Sequence, residues 1–257
     1  MKLYIVIRIP KSGSQSLRMM VEKSLPQSNH FKIPQLDIDK SIKRHLAEKF
    51  LAKRKLFTGL LRYRVISEKM FWKMISRRAN DGDMLSGHMV YGKPQLSAWN
   101  LNYITLLRDP IDRTISEYYY SREGYLNRPR YRQMYHKGHA EVTGTSSFPE
   151  YLQYLCSNKE RFSNPTTRFV TGVHTHKDPF SFMIKNYFHF GILERLDLFS
   201  NQLAEKLDFP SYEEWENKTR TKKDYKLTDI DRELLHDLLE KDIELYNKTK
   251  EYILTSK

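Results

Sequence analysis

The sequence has few of the residues that support disulfide, metal-cluster or membrane chemistry. It contains one cysteine, Cys156, in 257 residues, which excludes an intramolecular disulfide and a metal cluster held by cysteines. The apolar run at residues 1–9 is short and contains Arg8, so it does not form the apolar core of a signal peptide. A membrane-spanning helix needs about 20 apolar residues, and no later run approaches that length. These absences disfavour redox chemistry and predict a soluble, cytoplasmic protein without a transmembrane segment.

The sequence also lacks the recurring signatures of nucleic-acid-binding proteins, although its charge and tyrosines would suit such a partner. Lys and Arg number 44 against 31 Asp and Glu, so the formal net charge is +13, and 17 residues are tyrosine. Because the basic residues are spread along the chain, the surface should carry a positive field and bind an anionic partner, with a solvated basic face of no specific role as the alternative. We expect one domain over residues 1–257 and no nucleic acid.

The first motif is a strand, a loop and a helix at the start of the chain. Residues 3–9 are rich in Ile, Val and Tyr, which is typical of a strand buried on both faces of a parallel sheet. Apolar residues then recur at helical spacing, and the serines of the loop offer N-cap chemistry just before them. The helical positions are Leu17, Met20, Val21 and Leu25, and the serines are Ser12, Ser14 and Ser16.

The loop within IPKSGSQSL has the composition of a phosphate-binding loop. Backbone N–H groups and the positive end of the helix dipole converge where a buried strand meets a helix N-terminus. Gly13 permits close backbone approach, the serines add donors and Lys11 supplies a positive charge. The order G-x-x-x-x-G-K-[ST] is absent, because here the lysine precedes the glycine. The loop therefore predicts a phosphate site unlike that of an ordinary ATPase, with a plain capped turn as the alternative.

A second strand, loop and helix follow in NYITLLRDP (102–110) and IDRTISEYYY, with Pro110 near the first helical turn. Arg108 ends the strand and Ser116 lies on the helix, so both are expected at the carboxyl ends of the strands. They predict a second phosphate site, although Arg108 alone also suits an ion pair with Asp109 or Asp112. Two such sites on one sheet predict a nucleotide phosphorylated at two distant positions.

The remaining segments predict an α/β fold in which helices flank a central, mainly parallel sheet. Residues 41–57 form a basic amphipathic helix, and residues 81–92 form a turn, a short strand and a loop that presents His88. Residues 121–147 are predicted to be a long basic loop. Residues 186–194 form a strand that precedes a helix. The last helix is capped by Thr228 with Asp231 and carries Ile230, Leu234, Leu238, Leu245 and Ile253.

The motifs IPKSGSQSL and LLRDPIDRTISEYYY together resemble the paired signature of sulfotransferases that use 3'-phosphoadenosine 5'-phosphosulfate (PAPS). The resemblance is to the carbohydrate branch related to heparan and uronyl 2-O-sulfotransferases. It continues through SGHMVYG, NPTTRFVTG (164–172), FGILERLDLFSNQLAEKL and DIELYNKT, and so runs from residue 5 to about residue 250. It implies a P-loop-like sulfotransferase fold, PAPS as sulfuryl donor and no required metal.

The resemblance also implies roles for individual residues. The 5'-phosphosulfate would be held by Lys11, Ser12, Gly13, Ser14, Gln15 and Ser16, and the 3'-phosphate by Arg108 and Ser116. Ser14 and Gln15 stand where the family usually has Gly or Ser and Thr. The candidates for adenine contacts are Arg168, Arg220 and Lys222.

Sulfuryl transfer needs a base for the acceptor hydroxyl and a positive charge on the leaving phosphate oxygen. His88 is the candidate base, since a neutral imidazole titrates near working pH and lies here between glycines, and Lys11 is the candidate for the leaving group. His88 as a structural residue is the alternative, with His136 and His139 as further candidate bases.

The acceptor side is predicted from basic residues that resemble the corresponding segment of the heparan-type enzymes. They are Arg122, Arg128, Arg130, Arg132 and Lys137, with His136 and His139 nearby in the sequence. They suit carboxylates or sulfates on a sugar, or are solvated charges. The predicted activity is O-sulfation of a carbohydrate, with a small alcohol or phenol as the alternative acceptor. An ATP-dependent nucleotide kinase and a basic nucleic-acid-binding protein are the alternatives from other classes.

Overall fold

A computed structural model describes residues 1–33, 68–133, 138–210 and 225–255. The basic helix predicted at 41–57 lies outside these residues. Within them, helices flank one five-stranded sheet in which every pairing is parallel. The predicted α/β fold class is therefore confirmed. The strands are β1 (Lys2–Ile7), β2 (His30–Ile33), β3 (Asp83–Gly87), β4 (Asn100–Leu107) and β5 (Tyr187–Ile192).

The first strand lies at the centre of the sheet, whose order is β2-β3-β1-β4-β5. Alternate side chains of β1 point to opposite faces, so each face carries its own core. Ile5 and Ile7 belong to one apolar cluster, and Val6 belongs to the other together with Leu17 and Met20. Burial on both faces explains why this strand reads as a continuous apolar run in the sequence.

Two of the helices confirm expectations from residue spacing and capping. The helix α1 (Ser14–Ser24) buries Leu17, Met20 and Val21 as predicted. Thr228 and Asp231 form the predicted capping box. The other helices in order are α2 (Glu68–Arg78), α3 (Pro110–Leu126), α4 (Arg130–Gln133), α5 (His139–Thr145), α6 (Phe148–Cys156), α7 (Lys159–Phe162), α8 (Pro165–Thr171), α9 (Pro179–Asn186), α10 (Leu196–Leu207), α11 (Asp229–Leu238) and α12 (Glu240–Thr255).

Two predictions about the later chain are wrong. Residues 121–147 are not one long loop, because α3 continues to Leu126 and α4 and α5 follow in the described residues of this segment. Val142 of α5 packs on a third cluster that includes Tyr118 and Tyr151, a core contact that the composition of the segment did not reveal. The closing element is two helices that break at Leu239, and Ile230 is 70% exposed rather than in the core.

The connections of the sheet create a crevice at the carboxyl ends of β1 and β4. The chain leaves β1 toward β2 at one edge and leaves β4 toward β5 at the other, so the two connections diverge between these neighbouring strands. Ligands of open α/β sheets bind at such a switch point. In the described part of the chain, no helix is long and apolar enough to cross a membrane.

Candidate functional site

Three neighbouring strands deliver the predicted site residues to the same edge of the sheet. Ile7 of β1 pairs with Gly87 of β3 and with Thr105 of β4. The residues that follow these strands therefore emerge side by side: the opening loop after β1, His88 after β3 and Arg108 after β4. The sheet register thus brings together motifs that are about eighty to a hundred residues apart in the sequence.

The opening loop has a backbone conformation that concentrates N–H groups. Lys11 and Gly13 both have left-handed backbone angles, with φ of 65° and 66°. A non-glycine residue is strained there, and such loops form concave anion sites. Gly13 is further restricted because a Cβ atom would lie 2.6 Å from Leu193 Cδ1. Glycine is therefore favoured at this position by its backbone conformation, and any side chain here would have to displace Leu193.

The N-terminus of α1 remains open toward the crevice. Its N-cap residue is Gly13, no side chain within the described chain caps it, and its first turn contains no acidic residue. The expectation that a serine caps this helix is therefore wrong, because the left-handed turn places glycine at the N-cap. Arg8 holds the turn from behind, donating from Nε to the Ser14 carbonyl at 3.1 Å and from a terminal nitrogen to Gln15 Oε1 at 2.9 Å. First-turn amides and the helix dipole are left to bind an anion.

Arg108 connects the second motif to the first. Its Nη1 donates to the backbone carbonyl of Lys11 at 3.1 Å, and Nη2 lies 4.0 Å from an oxygen of Asp112. The contact with Asp112 supports the interpretation of Arg108 as an ion-pair partner. The hydrogen bond to Lys11 supports its interpretation as part of the crevice. A guanidinium has five N–H donors, so these contacts leave donors for a further anion.

Two of the buried hydroxyls that lack hydrogen-bond partners among the described residues belong to the predicted phosphate motifs. They are Ser12 Oγ in the opening loop and Ser116 Oγ on α3. A buried hydroxyl without a partner is costly, so such groups are expected to meet a ligand or an ordered water. Both were predicted to contact phosphate. The residues present therefore fit a nucleotide that carries phosphate groups near Lys11 and near Arg108.

The ammonium of Lys11 lies over the ring of Tyr120, with Nζ 3.9 Å from the ring centroid. Burial lowers the pKa of Lys11, and the Arg108 charge lowers it further, while Glu117 and Glu123 act in the opposite direction. A partly desolvated cation at this position interacts strongly with an incoming anion. Tyr120 was not predicted as a site residue, because its ring could not be placed on Lys11 from the sequence.

His88 is held in one tautomer by the end of β1. Its Nδ1 lies 2.5 Å from the backbone oxygen of Arg8, and since a carbonyl can only accept, Nδ1 donates. In the neutral ring the proton is then on Nδ1 and the lone pair on Nε2, which is the form a general base needs. Burial lowers the pKa of His88, as does the Arg8 charge, while the hydrogen bond to Arg8 and the Glu117 charge oppose the shift. The neutral imidazole is thus the favoured form near pH 7.

His139 and Arg122 are engaged in packing contacts. The His139 ring stacks on Phe162 with centroids 5.1 Å apart and lies edge-on to Tyr151. Arg122 donates from Nη1 to the Ser146 carbonyl at 2.6 Å and to the Tyr118 hydroxyl at 3.2 Å. These contacts tie α3 to the residues around α5 and α6, so both side chains have structural partners in addition to any role toward an acceptor.

The other predicted residues lie in different parts of the structure. Arg128 lines a cleft of about 410 Å³ beside Tyr120, together with Tyr125 and His139, whereas Arg130 is exposed. Arg168 lies on α8, next to the loop after His88, where the Phe169 carbonyl accepts from the Tyr91 amide. The predictions that fall outside the described residues concern His136, Lys137, Arg220, Lys222 and the side chain of Arg132.

The segment NPTTRFVTG is tied to the closing helix. The Asn164 side chain accepts from the amides of Lys241 and Asp242, and the Asp242 carboxylate accepts from the amides of Thr166 and Thr167. The N-termini of α8 and α12 therefore cap each other. This reciprocal capping is a structural reason for the two motifs NPTTRFVTG and DIELYNKT to occur together.

Comparison with protein families identifies the family of the chain. No curated protein matches the sequence. A family model described as "Sulfotransferase family" matches residues 4–249, a span that contains all three strand ends of the crevice. With most of its length covered by that match, the chain belongs to the sulfotransferase family.

Proposed function

We propose that this sulfotransferase uses PAPS as sulfuryl donor and transfers the group to a carbohydrate hydroxyl, with His88 as general base. One contact carries the proposal. The hydrogen bond from Arg108 to the Lys11 carbonyl joins the two predicted phosphate sites into one crevice. Such a crevice suits a nucleotide with phosphate at both ends of its ribose, which distinguishes PAPS from ATP.

The donor would be held by groups from both loops. The 5'-phosphosulfate would be held by the open N-terminus of α1, by Lys11 and by the Ser12 hydroxyl. The 3'-phosphate would be held by Arg108 and the Ser116 hydroxyl. The charge of Lys11 would neutralise the phosphate oxygen from which sulfur departs. These residues supply fixed donors where negative charge develops during transfer.

Transfer would move one proton and one sulfuryl group. The acceptor oxygen forms a bond to sulfur as the bond from sulfur to the 5'-phosphate oxygen breaks, and adenosine 3',5'-bisphosphate leaves. The hydroxyl proton passes to Nε2 of His88, whose Nδ1–H stays on the Arg8 carbonyl. The hydrogen bond to Arg8 therefore fixes the position of His88 relative to the opening loop, which follows Arg8 in the chain.

The cleft beside Lys11 supports a hydroxyl-rich acceptor. Tyr120, Tyr125, Asn127 and Arg128 line it with aromatic and hydrogen-bonding groups, which suit the faces and hydroxyls of a sugar. Sulfate transfer onto uronic-acid polysaccharides, neutral glycans, small alcohols and phenols tests this acceptor class. Activity restricted to small alcohols or phenols would contradict the carbohydrate acceptor and leave the donor assignment intact.

The donor assignment is tested by ligand-dependent unfolding. Adenosine 3',5'-bisphosphate should raise the unfolding temperature in the presence of a chelator, since a ligand that binds only the native state stabilises it. Mg-ATP and a single-stranded oligonucleotide are the comparison ligands for the kinase and nucleic-acid alternatives. Larger stabilisation by either of them would contradict the proposal.

Replacing His88 should separate binding from turnover. His88→Ala is expected to keep affinity for adenosine 3',5'-bisphosphate and to lower turnover by roughly two to four orders of magnitude, the scale of positioned acid–base catalysis. In the native enzyme, protonation of His88 removes the base, so kcat/KM should fall on the acidic side. Because burial lowers the pKa of His88, that fall should occur below pH 6.5, the ordinary value for histidine. Near-normal turnover by the folded variant would exclude His88 as the base.

A further inference from the structure

Glu117 is a carboxylate of the crevice to which neither the sequence motifs nor the proposed reaction assigns a role. It follows Ser116 on α3. Its Oε1 accepts from the Ser121 hydroxyl at 3.3 Å, whereas its Oε2 is buried and has no hydrogen-bond partner among the described residues. Leaving a carboxylate oxygen desolvated is costly unless nearby positive charge offsets the cost. The surroundings of Glu117 should therefore contain cations.

The helix geometry places Glu117 beside Lys11. Tyr120 lies three residues after Glu117, so the two side chains share one face of α3. The Lys11 ammonium lies 3.9 Å from the centre of the Tyr120 ring, and so on this same face. The charge of Glu117 accordingly raises the pKa of Lys11, and it raises the pKa of His88 and of His139 as well. One carboxylate thus acts on both groups to which the proposed reaction gives a role.

We propose that Glu117 is a positioning residue that acts through His88 and Lys11, stabilising the imidazolium that forms when His88 takes the acceptor proton and weakening retention of the anionic product. The role of Glu117 in catalysis rests on the proposed function, whereas its electrostatic coupling to His88 and Lys11 is independent of that function.

The two effects have opposite consequences for binding and turnover. A nearby negative charge favours protonated His88 and so assists proton transfer to Nε2. The same charge opposes the phosphates of adenosine 3',5'-bisphosphate next to Lys11, which favours their release. A residue that only packed α3 against its neighbours would produce neither effect.

Several titratable and charged groups surround Glu117, and each contributes to the electrostatics of the crevice. Lys11 approaches from the opening loop, His88 from the end of β3, His139 from α5 and Tyr151 from α6, while Arg8 opposes Glu117 in its effect on His88. Among the described residues, Glu117 is the one whose charge raises the pKa of His88. Its removal should therefore lower that pKa.

The test compares Glu117→Gln with Glu123→Gln in the full chain. Both variants remove one carboxylate from α3. The charges of both carboxylates raise the pKa of Lys11, whereas the charges that shift the pKa of His88 are those of Arg8 and Glu117. The titration of the His88 ring is followed by NMR in the ligand-free protein, with its resonance assigned by its loss in His88→Gln. Glu117→Gln should lower the pKa of His88, and Glu123→Gln should leave it in place. Glu117→Asp, which keeps the charge, should give a smaller change in the same direction.

Binding and turnover provide two further measurements. By calorimetry, Glu117→Gln should bind adenosine 3',5'-bisphosphate about two- to tenfold more tightly, as expected when a nearby like charge is removed. With PAPS and an active acceptor, kcat should fall by about tenfold or more and the acidic limb of kcat/KM should move to lower pH.

An unchanged His88 titration in both Glu117 variants, or weaker bisphosphate binding by folded Glu117→Gln, would overturn the inference. Failure of the proposed function would look different. The native protein would then transfer no sulfuryl group, although the NMR titration would still show whether Glu117 and His88 are coupled.

Discussion

The two strand–loop–helix units that form the crevice differ in how each helix begins. α3 is closed at its N-terminus, because Asp109 accepts from the Asp112 amide at 2.9 Å and Pro110 occupies the first turn. α1 begins at a left-handed glycine and has no side-chain cap within the described residues. The first unit therefore offers main-chain amides and a helix dipole to an anion, whereas the second offers the guanidinium of Arg108.

Under the proposed function, these similar local topologies would bind phosphate by different means. Capping a helix stabilises the fold by about 1 kcal/mol, and leaving it open gives up that stabilisation but exposes donors. In this chain the open helix lies next to Lys11 and the capped helix next to Arg108. Substitutions that close the first terminus or open the second should separate binding from stability.

The largest expected effect comes from Gly13→Ala, which acts on the open terminus itself. Alanine must adopt φ of 66° and place its Cβ 2.6 Å from Leu193 Cδ1. We expect the free energy of unfolding to fall by about 2–3 kcal/mol and binding of adenosine 3',5'-bisphosphate to be lost. Chemical denaturation and calorimetry measure the two losses. Gly82→Ala also has positive φ but open space, so it is the control for conformational strain alone.

Arg108→Ala should weaken adenosine 3',5'-bisphosphate binding by about ten- to a hundredfold, the scale of a lost charge-assisted contact. Adenosine 5'-phosphate should bind about equally to variant and native protein, because it lacks the phosphate assigned to Arg108. Calorimetry with both nucleotides makes the comparison. Equal losses for the two ligands would show that Arg108 organises the Lys11 loop instead of binding the 3'-phosphate.

Asp109→Ala opens the second terminus without touching the first. Loss of the cap on α3 should lower the free energy of unfolding by about 1 kcal/mol. The Kd for adenosine 3',5'-bisphosphate should remain within about twofold, since Arg108 rather than the helix terminus is assigned to the phosphate. Denaturant unfolding and calorimetry on the same preparations provide both values. A large change in Kd would mean that the helix terminus contributes to binding after all.

The smallest effect, and the one of opposite sign for stability, is expected from Gln15→Glu. A carboxylate in the first turn of α1 would interact with the helix dipole and receive a charged hydrogen bond from Arg8, which already contacts Gln15 Oε1 at 2.9 Å. The free energy of unfolding should rise by about 0.3–1 kcal/mol, while bisphosphate binding weakens by about two- to tenfold. Gln27→Glu places the same charge change after the end of α1 and is the control. If Gln15→Glu left binding unaffected, the open terminus would not be the phosphate site.

Much of the local structure could be predicted because its causes are local. The apolar run of β1, the helical spacing of Leu17, Met20 and Val21, and the pair Thr228 and Asp231 each encode their element within a few residues. The predictions for residues 121–147 and for the closing helix failed where the outcome depended on partners far along the chain. In the described part of residues 121–147, Val142 packs against the cluster of Tyr118 and Tyr151, a contact that a composition without a clear period does not reveal.

By itself, the sequence determined the residue types of the site: a lysine and a glycine after the first strand, a histidine after a short strand, and an arginine before a capped helix. The tertiary structure decided which of them meet, because parallel pairing of β1 with β3 and β4 aligns strand ends that are distant in the chain. It also decided the tautomer of His88, which depends on one contact between strand ends, and it placed Lys11 against the Tyr120 ring of α3, the helix that carries Glu117. Periodicity and capping act over a few residues, whereas the geometry of a site depends on packing between elements.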